Sequence, residues 1–304
     1  MEKFEVNILG CGSALPTMRH YPSAQVVNVR DKLFMIDCGE GAQLLLRRSR
    51  LKFSRLNHIF ISHLHGDHCF GLIGLISTFG LLGRTETLHI YAPAPLESLL
   101  RPQLDFFCQG MPYEVEVHEL SVETYSLVYE DRSVEVYAFP LRHRVPCMGF
   151  CFREKPVLPH IIREKIDFYK VPDYAIARIK QGADWVLEDG TVVPNAHFVR
   201  PAQPPRSYAY CSDTIYLPEI VPFLRGVDLL YHEATFAECD KRRARETCHS
   251  TARQAAEMAR MIRARRLCIG HFSARYDDEE LLLQEAQTIF PDTVLARENL
   301  NLQI

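Results

Sequence analysis

The 304-residue sequence has no apolar run that approaches the roughly 18 residues of a membrane span, so a membrane protein is not expected. Its first residues, Met1–Val6, lack the apolar stretch of a secretory signal. There are 10 Cys, but no two of them form a Cys-x-x-Cys pair. These absences favour a cytoplasmic protein whose cysteines are reduced.

An excess of basic residues is also absent, since the formal net charge is −3. This value argues against a globally basic nucleic-acid binder, although not against a local basic patch. Glycine and proline, at 15 and 18 residues, are too few for a disordered chain. What remains is an ordinary globular composition, 47% hydrophobic and 24% charged, with enough apolar residues for a large core.

Short apolar runs bounded by glycine or polar residues predict strands throughout the chain. These runs cover residues 4–9, 33–36, 58–61, 88–91, 114–117, 133–139, 207–211, 227–231 and 266–269. Helical spacing of apolar residues predicts helices over 72–79, 96–107 and 251–263. Thr251 and Gln254 can form a capping box at the start of the last helix. Strands mixed with helices over the whole chain predict α/β layers.

Residues 153–206 differ from the rest of the chain. Lys and Arg are frequent in the first half of this segment, a hairpin signal occupies 185–193, and proline is frequent in 201–205. We interpret the chain as a single domain, 1–304, in which 153–206 is an inserted arm rather than a second core.

The strongest motif is Ser62–His68, with the sequence Ser-His-Leu-His-Gly-Asp-His. It follows a predicted buried strand directly, and His63 and His65 are two residues apart, so in an extended segment they lie on one face. The glycine after them permits a sharp turn, beyond which Asp67 and His68 can point to a second centre. Imidazole nitrogens and a carboxylate in this pattern suit zinc.

Four side chains cannot complete two metal sites, and ligand-type residues also follow four other predicted strands: His143, Asp213, the pair His232-Glu233, and His271. Loops at one end of a layered sheet converge in space, so these residues are expected to complete a metal centre. Six further histidines are assigned to structure or surface: His20, His58, His89, His118, His160 and His197.

The motif His63–His68 resembles the signature of the metallo-β-lactamase superfamily. Within that superfamily the chain is similar to ribonuclease Z, the family of tRNA 3′-processing endonucleases. The segments that carry the similarity extend over nearly the whole chain: Pro16–Arg19, Asp37–Gln43, His65–Leu72, His232–Phe236, His249–Thr251 and Gly270–Tyr276. The departures from the family pattern leave the metal motifs intact: His20, Ala42, Ile73, Cys211-Ser212 before Asp213, and Val171–Tyr174 in the arm.

The resemblance implies an α/β fold (α+β by some schemes), namely the four-layer αββα metallo-β-lactamase sandwich with a small inserted arm. It also implies two zinc ions per subunit, bridged by Asp213. The other ligands would be His63, His65 and His143 for the first zinc, and Asp67, His68 and His271 for the second.

The implied activity is removal of the 3′ trailer from precursor tRNA by a metal-activated water, which leaves a 3′-hydroxyl on the tRNA. Asp67 would orient the water and accept its proton. His249, oriented by Glu233, would serve the leaving oxygen, and it directly precedes a predicted helix whose N-terminus favours anions. Substrate contacts are expected at Thr17, Arg19 and Arg275.

The tRNA would have to be held by local basic patches. Candidates are Arg47–Arg55, Lys241–Arg245 and the arm, which the family uses to contact tRNA from the partner subunit of a homodimer. Two alternatives stay open. One is another hydrolase of the superfamily that acts on small phosphodiesters or esters and needs no arm. The other is a non-catalytic RNA-binding relative, which would usually have lost metal ligands.

Overall fold

Two sheets of seven strands each dominate the computed structural model, which describes residues 2–304. The described residues divide into two compact units, residues 2–153 with 206–304, and residues 154–205. Both large sheets belong to the first unit. None of the helices within 2–304 is long and apolar enough to cross a membrane.

In chain order, the first nine strands are β1 Phe4–Gly10, β2 Ala24–Val29, β3 Lys32–Cys38, β4 Leu56–Phe60, β5 Leu88–Pro93, β6 Val115–Leu120, β7 Ser126–Glu130, β8 Val134–Leu141 and β9 Cys147–Glu154. The other nine are β10 His160–Ile161, β11 Trp185–Val186, β12 Val192–Val193, β13 Val199–Arg200, β14 Ser207–Cys211, β15 Leu229–Glu233, β16 Arg266–Gly270, β17 Thr293–Leu295 and β18 Asn301–Gln303. The α-helices in the described part of the chain are α1 Ala42–Arg48, α2 Gly66–Cys69, α3 Leu72–Leu81, α4 Leu96–Phe107, α5 Arg163–Phe168, α6 Asp173–Lys180, α7 Val221–Leu224, α8 Lys241–Thr247, α9 Ala252–Ile262 and α10 Glu280–Gln287.

Each large sheet is parallel on one side and antiparallel on the other. The first has the order β18-β1-β2-β3-β4-β5-β6, with β3 to β6 parallel. The second has the order β17-β16-β15-β14-β9-β8-β7, with β14 to β17 parallel. Parallel strands place their carboxyl ends at the same edge of a sheet, and this is where ligand sites of such sheets form.

An aromatic core joins the two sheets face to face. The ring of Phe34 in β3 lies 5.7 Å from that of Phe152 in β9, and Phe60 in β4 lies 5.4 Å from Phe150. A second apolar cluster packs α1, α3 and α4 against the first sheet, while α9 and α10 pack against the second. The predicted αββα sandwich is thereby confirmed.

The start of α9 and the end of β15 test the sequence predictions locally. The capping box is present: Thr251 Oγ1 accepts a hydrogen bond from the Gln254 amide at 3.2 Å, and Gln254 Oε1 accepts one from the Thr251 amide at 3.0 Å.

The predicted end of β15 is wrong, since His232 and Glu233 lie inside the strand and continue its pairing with β16. The Glu233 carboxylate is fully buried but hydrogen-bonded, so a polar residue does not have to end the strand here.

The second unit, residues 154–205, has a small apolar core of its own. Ile166 in α5, Ile179 in α6 and Phe198 are fully buried there. The predicted hairpin is present as β11 paired with β12. Because the unit contains seven Lys or Arg and seven Asp or Glu, it has no net basic charge. Its role as a tRNA-binding arm stays a prediction.

Candidate metal centre

The candidate site lies at the carboxyl ends of β4, β8, β14 and β16 and in the segments that follow them. These segments supply all seven predicted ligands, which the structure collects into two clusters: His63, His65, His143 and Asp213, and Asp67, His68 and His271. Within each cluster, potential ligand atoms lie no more than 4.8 Å apart. Gly39 lets the loop after β3 approach α2 closely, because a Cβ there would lie 2.5 Å from the Asp67 carbonyl oxygen.

Three imidazoles and one carboxylate form the first cluster. His65 Nδ1 lies 3.0 Å from His63 Nε2 and 3.3 Å from His143 Nε2. Asp213 Oδ2 closes the group, at 3.5 Å from His63 Nε2 and 3.7 Å from His143 Nε2. Three nitrogens and one oxygen around one small volume match the four-coordinate preference of zinc.

The second cluster uses the other oxygen of the same aspartate. Asp213 Oδ1 lies 3.3 Å from His68 Nε2 and 3.2 Å from His271 Nε2. Asp67 Oδ2 lies 3.3 Å from His68 Nε2 and 3.5 Å from His271 Nε2. Since each carboxylate oxygen of Asp213 faces one cluster, this side chain can bridge two cations.

Two buried nitrogens indicate that a cation fits the second cluster. Nε2 of His68 and Nε2 of His271 make no hydrogen bond within residues 2–304. Buried polar atoms without a partner are rare in folded proteins because each one costs stability. A metal ion held between these nitrogens and the oxygens of Asp67 and Asp213 would satisfy all of them, and mixed nitrogen and oxygen donors suit zinc.

The protonation states of His63, His143 and Asp67 suit metal binding. Burial lowers the pKa of His63 to about 2 and lowers the pKa of His143, so both rings are neutral at physiological pH and can offer a lone pair. Burial alone would raise the pKa of Asp67, but the imidazoles of His271 and His68 hold it well below its ordinary value. Asp67 is therefore a carboxylate.

A buried carboxylate that the sequence analysis did not assign orients one ligand. Asp37 Oδ2 accepts a hydrogen bond from His68 Nδ1 at 2.7 Å, which turns Nε2 of that ring toward the cluster. The same carboxylate accepts hydrogen bonds from the Ser62 amide at 2.7 Å and from the Tyr210 hydroxyl at 2.7 Å. Partners of this kind fix the tautomer and orientation of metal-binding histidines.

A second buried carboxylate, Glu233, connects His249 to the centre. His249 Nδ1 donates to Glu233 Oε1 at 2.9 Å. The Thr235 hydroxyl donates to Glu233 Oε2 at 2.5 Å and faces His271 Nδ1 at 3.0 Å. Burial would lower the pKa of His249, but Glu233 raises it to about 9. A ring nitrogen of His249 also lies within 4.8 Å of potential ligand atoms of Asp213 and His271. The raised pKa and this distance together place a protonated imidazole beside the two clusters.

Three residues at this site have a strained backbone conformation. Asp37, Asp213 and His271 have positive φ angles of 55°, 49° and 61°. Residues other than glycine seldom adopt positive φ angles, because this conformation costs free energy. It persists mainly at functional sites and where the surrounding structure enforces it. Each of the three directs a side chain into the metal centre or onto one of its histidines.

The three residues predicted to contact substrate, Thr17, Arg19 and Arg275, have different surroundings in the structure. Thr17 Oγ1 accepts hydrogen bonds from the amides of Arg19 and His20 at 3.3 and 3.0 Å, so it shapes its own loop. Arg19 donates to the Tyr276 carbonyl at 2.5 Å. Arg275 is exposed. The loop of Thr17 and Arg19 lies beside the His271 segment, but the Arg19 guanidinium serves a contact within the protein.

A basic cavity adjoins His249. Its volume is about 500 Å³, and its lining includes the aromatic ring of Tyr216 with three cationic side chains, Lys241, Arg242 and Arg245. Lys241 and Arg242 have acidic partners in Glu238 and Glu246, at 2.8 and 3.1 Å. No ion pair of Arg245 is found within residues 2–304. The structure thus brings part of the predicted basic run 241–245 next to the candidate centre.

Comparisons with known proteins agree with this architecture. A family model described as Beta-lactamase superfamily domain matches residues 195–272, and one described as Anti-Pycsar protein Apyc1 matches residues 4–138. The solved structure of the metallo-β-lactamase fold protein YhfI from Bacillus subtilis is 16% identical, with a TM-score of 0.70 over 99% of this chain and 100% of that one. Fold and paired clusters together define a protein of the metallo-β-lactamase superfamily.

More similar proteins identify the family. The chain is 65% identical over 300 residues to Ribonuclease Z of Bacteroides fragilis, and the match covers 99% of both chains. It is also similar to the solved structure of human tRNase Z, short form, with 27% identity and a TM-score of 0.71 over 98% of each chain. The chain belongs to the ribonuclease Z family, as its motifs predicted.

Proposed function

We propose that this chain is a zinc-dependent endoribonuclease that removes the 3′ trailer from precursor tRNA and leaves a 3′-hydroxyl on the tRNA. One observation carries the proposal: the two carboxylate oxygens of Asp213 face two ligand clusters in a chain that is 65% identical to a Ribonuclease Z. The solved structure described as a tRNase Z, which matches over 98% of this chain, supports tRNA as the substrate.

Each zinc ion would have three ligands of its own and would share Asp213: His63, His65 and His143 for the first, and Asp67, His68 and His271 for the second. Bound zinc supplies Lewis-acid chemistry, since it lowers the pKa of a coordinated water to about 7 and offsets negative charge on a phosphate. The protein's contribution is to fix these side chains before substrate arrives, as Asp37 does for His68.

Asp67 is the acceptor that we assign to the attacking water. Its carboxylate is ionised, because the imidazoles of His68 and His271 lower its pKa. An ionised carboxylate accepts a hydrogen bond from the water and so orients the oxygen toward the scissile phosphorus. We assign to the same carboxylate the proton that the water releases as the new phosphorus–oxygen bond forms.

His249 is the donor that we assign to the leaving group. When the bond between phosphorus and the 3′ oxygen breaks, that oxygen needs a proton, while the trailer keeps the 5′-phosphate. The Glu233 carboxylate holds His249 through Nδ1 and raises its pKa, so the ring is protonated at neutral pH and can donate from Nε2. Glu233 is the residue that positions the donor.

Both earlier alternatives are less well supported. A non-catalytic relative is disfavoured because all seven predicted ligands are present and come together. A hydrolase of small phosphodiesters would need no inserted unit, whereas this chain has one at 154–205 and matches a Ribonuclease Z over its full length. The substrate preference is therefore the point to test.

The test is an assay of purified protein on a precursor tRNA with a 3′ trailer, run beside a chromogenic phosphodiester. We expect cleavage at the 3′ end of the tRNA, a 3′-hydroxyl product and about two zinc ions per chain in the metal centre. The Asp67→Ala variant should lose the activity. Hydrolysis of the small ester without cleavage of precursor tRNA would contradict the proposal and favour the alternative hydrolase.

Local charge must hold the RNA, because the chain is acidic overall. We propose that the basic cavity beside His249 binds a phosphate of the substrate near the scissile bond. Arg245 is the best candidate in this cavity, since its guanidinium has no acidic partner within residues 2–304 and five N–H donors that match phosphate geometry.

The Arg245→Ala variant is expected to raise KM for precursor tRNA about tenfold while kcat changes little. The reason is that the lost contact stabilises the bound substrate and the transition state equally. The slope of log KM against log salt should become shallower by roughly one unit. Arg225→Ala, at an exposed arginine outside the cavity, is the matched control. An unchanged KM and salt slope would exclude Arg245 from RNA binding.

Three further points belong to the same proposal, and the first two of them follow from the family resemblance. The chain forms a homodimer, the unit 154–205 contacts tRNA bound at the partner subunit, and the enzyme acts in the cytoplasm. The balanced charge of this unit means that its contact with RNA relies on individual side chains, such as Arg178 and Lys180 at the end of α6, rather than on a basic surface.

A further inference from the structure

A third group of metal-type side chains lies on the first sheet and shares no residue with the metal centre. It consists of His89 in β5 with Glu116 and His118 in β6, which is the edge strand of that sheet. The parallel register places His89 beside Glu116, and Tyr91 beside His118. The ligands of the metal centre follow the carboxyl ends of their strands, whereas this group lies within the strands themselves.

Strand alternation shows which face these side chains occupy. Leu88 and Ile90 in β5, and Val115 and Val117 in β6, pack into the apolar cluster under the helices. Their sequence neighbours therefore project from the opposite face of the sheet. The side chains there are partly exposed, by 29% for His89, 56% for Glu116 and 33% for His118, so an ion can reach them from solvent.

Four potential ligand atoms of this group, two imidazole nitrogens and two carboxylate oxygens, lie close together. His89 Nδ1 lies 3.1 Å from His118 Nε2 and 3.3 Å from Glu116 Oε2, and Glu116 Oε1 lies 3.8 Å from His118 Nε2. A proton on His89 Nδ1 can be donated well to only one of its two neighbours. A cation between the two nitrogens and the carboxylate would bind all three side chains at once.

Stacked rings hold both imidazoles in place. The His118 ring stacks on Tyr91 at 4.5 Å with an interplanar angle of 13°, and the His89 ring stacks on His58 at 5.1 Å with the same angle. His58 is in turn packed against Tyr129 at 4.3 Å. Rings fixed in this way lose little freedom when an ion binds, and such preorganisation favours affinity.

We propose that His89, Glu116 and His118 form a binding site for one divalent transition-metal ion, with Zn²⁺ as the ion that suits it best. Two imidazoles and one carboxylate are a common protein ligand set for zinc, and water can fill the remaining position. The ion links the edge strand β6 to β5. It takes no part in phosphodiester cleavage, and the site does not depend on the proposed function.

The experiment measures zinc per chain in the intact protein after equilibration with buffered Zn²⁺ and removal of unbound metal. We expect His118→Gln and Glu116→Gln each to contain one zinc ion fewer than the wild type, and to cleave precursor tRNA at the wild-type rate. His197→Gln, at an exposed histidine outside all the clusters, is the control and should keep the wild-type content.

Zinc should also raise the melting temperature of the wild type more than that of either variant, because an ion that binds only the folded state stabilises it. Equal zinc content in the wild type and in both variants would overturn the proposal. The Glu116→Gln change retains side-chain volume at an exposed position, so folding should be unaffected. If the wild type does not cleave precursor tRNA, the proposed function is refuted. The difference in zinc content between the wild type and the two variants still tests the metal site in that case.

Discussion

Replacement of Asp213 by alanine is expected to release zinc from both clusters and to lower kcat/KM for precursor tRNA by about 10⁴-fold, or roughly 5.5 kcal/mol of transition-state stabilisation. The reason is geometric. Oδ2 of this residue completes the cluster of His63 and His143, and Oδ1 completes that of His68 and His271. One substitution therefore removes a ligand from each zinc ion.

Zinc content and activity should be measured together, with Asp228→Ala as the control. Asp228 is also a hydrogen-bonded aspartate, which accepts from the Ser207 amide and hydroxyl at 2.8 and 3.0 Å but belongs to no cluster. Its removal should reduce stability and leave the zinc content unchanged. Retention of both zinc ions by Asp213→Ala, or a loss of activity below tenfold, would show that this residue does not bridge.

The metal motifs could be recognised in the sequence because each is local. His63, Asp213 and His271 follow apolar runs that form buried strands, and the end of such a run is visible in the sequence itself. Convergence of these ends then follows from the layered fold. The periodicities of the strands and helices predicted α/β layers for the same reason. The αββα order of those layers followed from the family resemblance and not from the periodicities.

The groups that orient the ligands could not be predicted in this way. Asp37 reaches Ser62, His68 and Tyr210, which are 25, 31 and 173 residues away, and no spacing rule relates such distant positions. β2 was missed because Gln25 interrupts its apolar pattern, although the residue is buried and paired with the hydroxyl of Tyr208 in the facing sheet. In both cases a tertiary contact determines the role of the polar residue.

His89 and His118 illustrate the same limit at a surface. As isolated histidines in separate strands they are ordinary surface residues, and the sequence analysis assigned them to structure or surface. Only the parallel register of β5 and β6 places their nitrogens 3.1 Å apart beside Glu116.

Substitution of His249 by alanine is expected to lower kcat on precursor tRNA by about 10³-fold, the magnitude of a lost general acid. The same variant should hydrolyse a p-nitrophenyl phosphodiester within roughly threefold of the wild-type rate. A nitrophenolate leaves without a proton, whereas the 3′ oxygen of the tRNA must receive one. Zinc content should be unchanged, because His249 belongs to neither ligand set.

Comparison of the rates on the two substrates distinguishes a role of His249 as proton donor from a role in supporting the fold. Loss of structure around His249, which contacts His143 and His271 at ring distances of 5.1 and 5.3 Å, would slow both reactions together. Glu233→Gln should show the same selectivity with a smaller effect, because the amide still accepts from His249 Nδ1 but no longer supports its positive charge. Equal losses on both substrates would contradict the assignment of His249 as the acid, whereas a loss confined to the tRNA locates the missing proton at the 3′ oxygen.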